Sequence, residues 1–251
     1  MKSQNQWPVI DQASGTRLWI IPVTAGPRRA YRLHPGHAGF VLCHVILWFH
    51  ESIEKINEGI WDEWGWSVRN VSGSTTTVSN HASGTAADVN ATKHPLGVAH
   101  TFTKAGQYAK IRARLFFYAG VIRAGTQYHN RKDEMHWEIN VTPESGRVRK
   151  LAARLAGTPR GKRIIAANPG YRPAVVYAPG DRPLYRGNAG PDVVFVQRRV
   201  GADVDGDYGP KTEEKVRVWK RANAVRQPGM TPDGHVGKIT WQALGVKVKY
   251  R

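Results

Sequence analysis

The chain has 251 residues and carries 37 Lys and Arg against 19 Asp and Glu, a formal charge of +18. That length allows one large domain or two modest ones, and a mix of 41% hydrophobic and 22% charged residues excludes wholesale disorder. A single cysteine, Cys43, excludes an intramolecular disulfide framework and any cysteine-rich metal cluster. In chain order, the first residues, Met1-Lys2-Ser3-Gln4-Asn5-Gln6-Trp7, lack the apolar run of a secretory leader, so synthesis in a cytoplasm is expected. His37 to Glu58 has helical apolar spacing through Phe40, Val41, Val45, Ile46, Phe49 and Ile53. Its apolar stretch from Ala38 to Phe49 is broken by His44 and falls short of the roughly 20 residues of a membrane span, so no membrane insertion is expected. Thr103 to Ala124 reads as a second helix, packed through Phe116, Phe117 and Val121. Thr85 to Val89 and Met135 to Val141 read as strands. The expected architecture of this part is α+β, a small sheet with packed helices.

Two clusters flank that second helix. The first is Ser79-Asn80-His81-Ala82-Ser83-Gly84-Thr85-Ala86-Ala87-Asp88, and the second is Asp133-Glu134-Met135-His136-Trp137-Glu138. A hydrolytic zinc ion takes three protein ligands and keeps one position open. The first cluster offers His81 and Asp88, with Gly84 between them to let the backbone bend. The second offers His136, with acidic Asp133 three positions before it, placed to act as a general base. No His-Glu-x-x-His helix is present, which excludes the common helical zinc-protease scaffold. His44, His50, His94, His100 and His129 read as structural or exposed, and Glu134 as a solvated turn residue.

The pattern Ser79-x-His81-x-x-Gly84-x-Ala86-x-Asp88, followed by Asp133-x-x-His136-Trp137, resembles the zinc D,D-carboxypeptidase and L-alanyl-D-glutamate endopeptidase family. That family includes vancomycin-resistance dipeptidases and many phage endolysins. The resemblance implies an α+β zinc peptidase with one Zn2+, held by His81, Asp88 and His136. It implies Asp133 as the base that takes a proton from water and later protonates the leaving amine. It also implies an upstream arginine that steadies the oxyanion, and Arg69 in Trp66-Ser67-Val68-Arg69 occupies that place. Ser79 either bonds substrate, orients a ligand or caps a turn. Glu138 and Asn90 are candidates for bonding to a ligand from outside.

Charge is uneven along the chain. Residues 146–190 hold 10 Lys and Arg against one acid, so half the excess lies there. Arg147 to Ala156 fits a basic helix. Beyond Gly157, Pro159, Pro169, Pro173, Pro179 and Pro183 argue for an irregular connector. The expected organisation is a catalytic domain over 1–148, a basic Pro/Gly-rich linker over 149–190 and a second domain over 191–251.

The last segment contains a repeat. Asp205-Gly206-Asp207-Tyr208-Gly209-Pro210-Lys211-Thr212 and Asp233-Gly234-His235-Val236-Gly237-Lys238-Ile239-Thr240 both read Asp-Gly-x-apolar-Gly-x-x-Thr. Each is a glycine turn opening a helix at or just before the threonine. With Val193, Val196 and Val200 at helical spacing before them, this predicts three short helices. Val196-Gln197, Val216-x-x-Trp219 and Trp241-x-x-Leu244 complete a resemblance to the peptidoglycan-binding three-helix module of wall hydrolases. One departure is Lys220, where that family often has Gln.

Together the two resemblances imply a wall-lytic zinc peptidase, of endolysin type, cutting the L-Ala-D-Glu bond. Its partners would be peptidoglycan and anionic wall polymers, and its place of action the bacterial wall. Alternatives are a D-Ala-D-Ala carboxypeptidase and a zinc-containing wall-binding protein without turnover. The charge alone would suggest nucleic acid, but no nucleic-acid module is present, and the basic stretch reads instead as wall adhesion.

Overall fold

A computed structural model describes residues 1–24, 26–173, 177–188, 190–204, 206 and 208–250. It is α+β, with two small antiparallel sheets and seven α-helices among the described residues. The chain divides into two compact units, Met1–Ala174 and Val175–Arg251.

The first unit is organised around α1 (His37–Ser52). Ala38 to Phe49 are buried without interruption. A helix apolar on all sides must be surrounded, and α1 packs against strand β1 (Arg17–Ile21), strand β5 (Asp133–Ile139) and helices α3 (Arg147–Ala156) and α4 (Pro159–Ala167). The helix stops six residues before Glu58, the expected end. There the Ile56 amide turns back to donate to His50 Nδ1 at 3.3 Å. His44, inside this core, bonds the Tyr118 hydroxyl at 2.9 Å, and burial lowers its pKa to about 3, so it stays neutral.

β1 pairs antiparallel with β2 (Arg29–Leu33), burying Trp19, Ile21, Tyr31 and Leu33 on one face. The second sheet has the order β3-β5-β4, with β3 (Ala86–Asp88) and β4 (Ile122–Gly125) flanking β5. The two expected ligand-bearing strands are thus present, with slightly shifted ends.

Helix α2 (Gln107–Phe117) is shorter than the expected 103–124. Ala119 and Gly120 adopt positive φ (52° and 73°), which breaks the helix and sends residues 122–125 into a strand. Its buried face is Gln107, Ile111 and Leu115 at i, i+4 and i+8. Phe116, expected in the packing, is 88% exposed, while Val121 is buried.

The stretch expected as an irregular connector contains α4. Pro159 sits in its first turn, where a missing N–H costs nothing, and the Thr158 hydroxyl accepts from the Gly161 amide at 3.0 Å. Ile164 is buried, and Arg160 and Arg163 both pair with Glu51 on α1. Part of the basic stretch is therefore folded into the first unit.

The second unit holds α5 (Pro191–Val200), α6 (Pro210–Asn223) and α7 (Lys238–Ala243) around Val193, Val196, Tyr208, Val216, Val236, Trp241 and Leu244. Asp205 and Asp207 lie outside the described residues. In both repeats the helix opens directly after the second glycine, Gly209 or Gly237, two residues before the expected threonine. Thr212 and Thr240 lie buried in the first turn. Gln197 accepts from the Gly206 amide at 2.7 Å and donates to Thr212 at 3.0 Å. Tyr208 donates to the Gly234 carbonyl at 2.8 Å, tying one repeat turn to the other. Lys220 is buried and bonds Asp233 at 2.5 Å, linking α6 to the second Asp-Gly turn.

Candidate active site

Three local features bring the two clusters together. Asn80–Ser83 forms a single 3-10 turn, and the Ser79 hydroxyl accepts from the His81 amide at 3.3 Å to cap it. Gly84 ends that turn at φ +65°, and a Cβ there would lie 2.4 Å from the His34 nitrogen, so only glycine fits. The chain then enters β3, whose register sets Asp88 directly opposite His136 on β5. Such cross-strand neighbours stand close enough for their side chains to touch.

The third feature is an irregularity between β4 and β5. Ala124 pairs with Trp137, but Gly125 pairs with Asp133, so three residues of β5 are skipped. Strict alternation would put Asp133 and His136 on opposite faces. The skip lets both line the same cavity. A Cβ on Gly125 would strike the Asp133 carbonyl at 1.7 Å, so this close approach requires glycine.

The result is a compact cluster. His81 Nε2 lies 3.3 Å from Asp88 Oδ1 and 3.2 Å from His136 Nδ1, and His136 Nδ1 lies 3.0 Å from Asp88 Oδ1. All three side chains are buried. Their outer atoms are fixed. His81 Nδ1 donates to the Gly65 carbonyl at 2.5 Å, and His136 Nε2 donates to Glu138 Oε2 at 3.2 Å. Because those partners accept, Nε2 of His81 and Nδ1 of His136 are the atoms turned inward. Glu138 also accepts from Asn80 Nδ2 at 2.6 Å. The three inward atoms form the one His/Asp/Glu/Cys group among the described residues that could hold a metal ion.

The electrostatics follow. Burial works against ionising His136, but its hydrogen bonds to Asp88 and Glu138 outweigh it and raise the pKa to about 10. Asp88 is held far below the ordinary carboxylate range: burial opposes this, and His81 and His136 overcome it. Asp133 goes the other way, raised by burial and by neighbouring Asp88 against the pull of His136. Its Oδ1 is buried without a hydrogen-bond partner.

A cavity of about 400 Å³ opens beside the cluster, lined by His81, His136, Asp133, Arg69 and Ser79. All five were singled out by sequence. Asn90 was also a candidate, but its amide donates to Glu54 Oε2 and the Lys55 carbonyl, away from the cluster. Glu134, expected in solvent, is 2% exposed and accepts from Thr101, Tyr108 and the His100 amide, anchoring the 100–108 segment. Among the histidines read as structural, His129 lines the cavity. Gly65, Asn80 and Tyr128 were not anticipated; Gly65 acts through its carbonyl alone, for which no side-chain signal exists.

The arrangement is a group that could hold one metal ion, two imidazoles and one carboxylate, with a second, less acidic carboxyl group beside an open cavity. Comparison with known families agrees. Residues 72–139 match the family described as D-alanyl-D-alanine carboxypeptidase. The matched segment includes Ser79, His81, Asp88, Asp133, His136 and Glu138, and leaves out Arg69. No curated protein and no solved structure matches the chain. The match supports a metallopeptidase acting on peptidoglycan. Among the described residues no helix is long and apolar enough to cross a membrane.

Proposed function

We propose that the chain is a zinc peptidase that hydrolyses a peptide bond in peptidoglycan stem peptides, with His81, Asp88 and His136 holding one Zn2+. The observation that carries this is the convergence of His81 Nε2, His136 Nδ1 and Asp88 Oδ1 at 3.0 to 3.3 Å beside the Asp133 cavity. Donors around a tetrahedral zinc with bonds of about 2.0–2.1 Å stand about 3.4 Å apart, so the set fits the ion closely. Two imidazole nitrogens and a carboxylate oxygen are also the donor types zinc prefers.

When bound, zinc supplies Lewis-acid polarisation of the scissile carbonyl and makes water acidic enough to attack near neutral pH. Gly65 and Glu138 hold the two imidazoles with their lone pairs inward. Asp133, a stronger base for being buried, takes the proton of the attacking water on its carboxylate and returns it to the nitrogen of the leaving amine. Arg69, on the cavity wall, steadies the negative charge that develops on the carbonyl oxygen. Ser79 acts through the turn it caps.

For the bond cut, the reading is L-Ala-D-Glu endopeptidase activity in a wall-lytic, endolysin-type enzyme, with the second unit as a peptidoglycan-binding module. The paired repeat turns and three helices over 191–251 support that module. The domain division we propose is catalytic over 1–148 and wall-binding over 191–251, with a basic segment over 149–190 between them whose helices α3 and α4 pack on the first unit and whose remaining cations adhere to anionic wall polymers. The place of action is the bacterial wall, after synthesis in a host cytoplasm. A second reading, D-Ala-D-Ala carboxypeptidase, is favoured by the description of the matched family. Mass analysis of purified peptidoglycan after digestion separates the two: new D-Glu amino ends support the first, and loss of terminal alanine the second. A wall-binding protein without turnover would release neither.

A further inference from the structure

We propose that Arg123 is a substrate-binding residue that grips a carboxylate of the stem peptide, and that the groove it borders receives the rest of that peptide. This rests on the peptidase reading above. A groove of about 770 Å³ runs over α2 and β4, with Ile111, Leu115 and Ile122 in its wall and the 88% exposed ring of Phe116 beside them. Arg123 and His129 line both this groove and the 400 Å³ cavity, so the two spaces adjoin at these side chains. A substrate chain leaving the reacting centre on this side enters the groove past Arg123.

Arg123 is built to be held yet free to bind. It sits on β4, paired across the sheet with Glu138. Its guanidinium lies over the Tyr128 ring, 4.4 Å from the centroid, which fixes its position. Glu138 Oε1 forms a long ion pair with it at 3.7 Å, beyond hydrogen-bond distance, and the other oxygen of Glu138 serves His136 and Asn80. Among the described residues the guanidinium makes no hydrogen bond, and its side chain is 40% exposed. A planar fork with unspent donors matches a carboxylate. The cavity wall adds Arg69 and Arg131 against the single acid Asp133, so the opening attracts an anionic peptide.

The probe is the synthetic pentapeptide L-Ala-γ-D-Glu-L-Lys-D-Ala-D-Ala, with the α-carboxyl of D-Glu either free or as the carboxamide. It contains both candidate scissile bonds. Hydrolysis and equilibrium binding by tryptophan fluorescence are measured for the wild type, Arg123→Gln, Arg123→Lys and Phe116→Ser. The wild type should favour the free acid about tenfold, in KM and Kd rather than in kcat. Arg123→Gln should erase that preference, and Arg123→Lys should restore part of it. Phe116→Ser should raise KM for the pentapeptide and not for its N-terminal tripeptide. Equal affinity of the wild type for acid and amide overturns the proposal. So does a preference that survives Arg123→Gln, or a fall in kcat on both peptides with a lowered melting temperature. If neither peptide is cut but binding shows the Arg123-dependent preference, the subsite stands and the peptidase reading falls.

Discussion

The buried polar groups of the two units are used in opposite ways. In the second unit they close on complementary partners in four places: Gln197 on Gly206 and Thr212, Tyr208 on Gly234, Lys220 on Asp233, Arg182 on Asp192. Donor meets acceptor and cation meets anion, and among the described residues of this unit only the Tyr250 hydroxyl is buried without a partner. In the first unit, His81, Asp88 and His136 turn three electron-rich atoms toward one another while their outer atoms are tied down. In the reading proposed above, an added cation completes this set and makes it the reacting centre. The first pattern builds a scaffold and the second builds a site.

The comparison can be broken at its strongest point. Asp88→Asn or His136→Ala should abolish metal binding and lower hydrolysis by on the order of 10³-fold or more, since several kcal/mol of carbonyl polarisation go with the ion. Activity assays with elemental analysis of the purified variants check this. Asp133→Asn should cost about 10²- to 10⁴-fold in kcat while the metal content stays at the wild-type level. Loss of metal in this variant would make Asp133 a ligand rather than the base. Glu138→Gln should weaken metal binding by about 10- to 100-fold, read by competition with a chromophoric chelator.

Protons compete with the metal for His136. Its pKa in the metal-free chain is raised to about 10, so binding must displace a proton across the neutral range. Apparent metal affinity should therefore rise about tenfold per pH unit between roughly pH 6.5 and 9. The stability of the metal-free chain moves oppositely. A raised folded-state pKa contributes fully below the unfolded value near 6.5 and is lost as pH climbs toward about 10. Thermal melts of the metal-free and metal-loaded protein across that window test both signs.

The smallest effect belongs to the scaffold. Lys220→Met should destabilise the second unit by about 1 kcal/mol, because Asp233 is 48% exposed and water replaces much of the lost pair. Hydrolysis of a soluble stem peptide should not change. A fall in that activity would mean the pair serves the site as well.

Much of this contrast was legible in residue order. His81, Asp88, Asp133 and His136 stand at fixed spacings because one glycine turn and one strand pair dictate them. The valines of α5 and the two Asp-Gly turns announced the small helices in the same direct way. What escaped was set by contacts distant in sequence. Gly65 contributes a backbone carbonyl, and Asn80 and Tyr128 act on Glu138 from other elements. The β4–β5 irregularity that turns Asp133 toward His136 shows only as Gly125, one glycine among 26. α4 was hidden by its own proline and glycine, since Pro159 opens the helix and Gly161 sits where a Cβ would strike the Leu155 carbonyl at 2.0 Å. Phe116 reads as core by apolar character, yet the face of α2 that packs is set by Ile111 and Leu115.

The most direct test of the central claim is metal content measured beside peptidoglycan cleavage on the same protein sample. The wild type should hold one zinc per chain, lose it and its cleavage activity together on chelation, and recover both when zinc is restored. Asp88→Asn should hold none. Undiminished cleavage by the chelated wild type, or a full zinc complement in Asp88→Asn, would contradict the assignment.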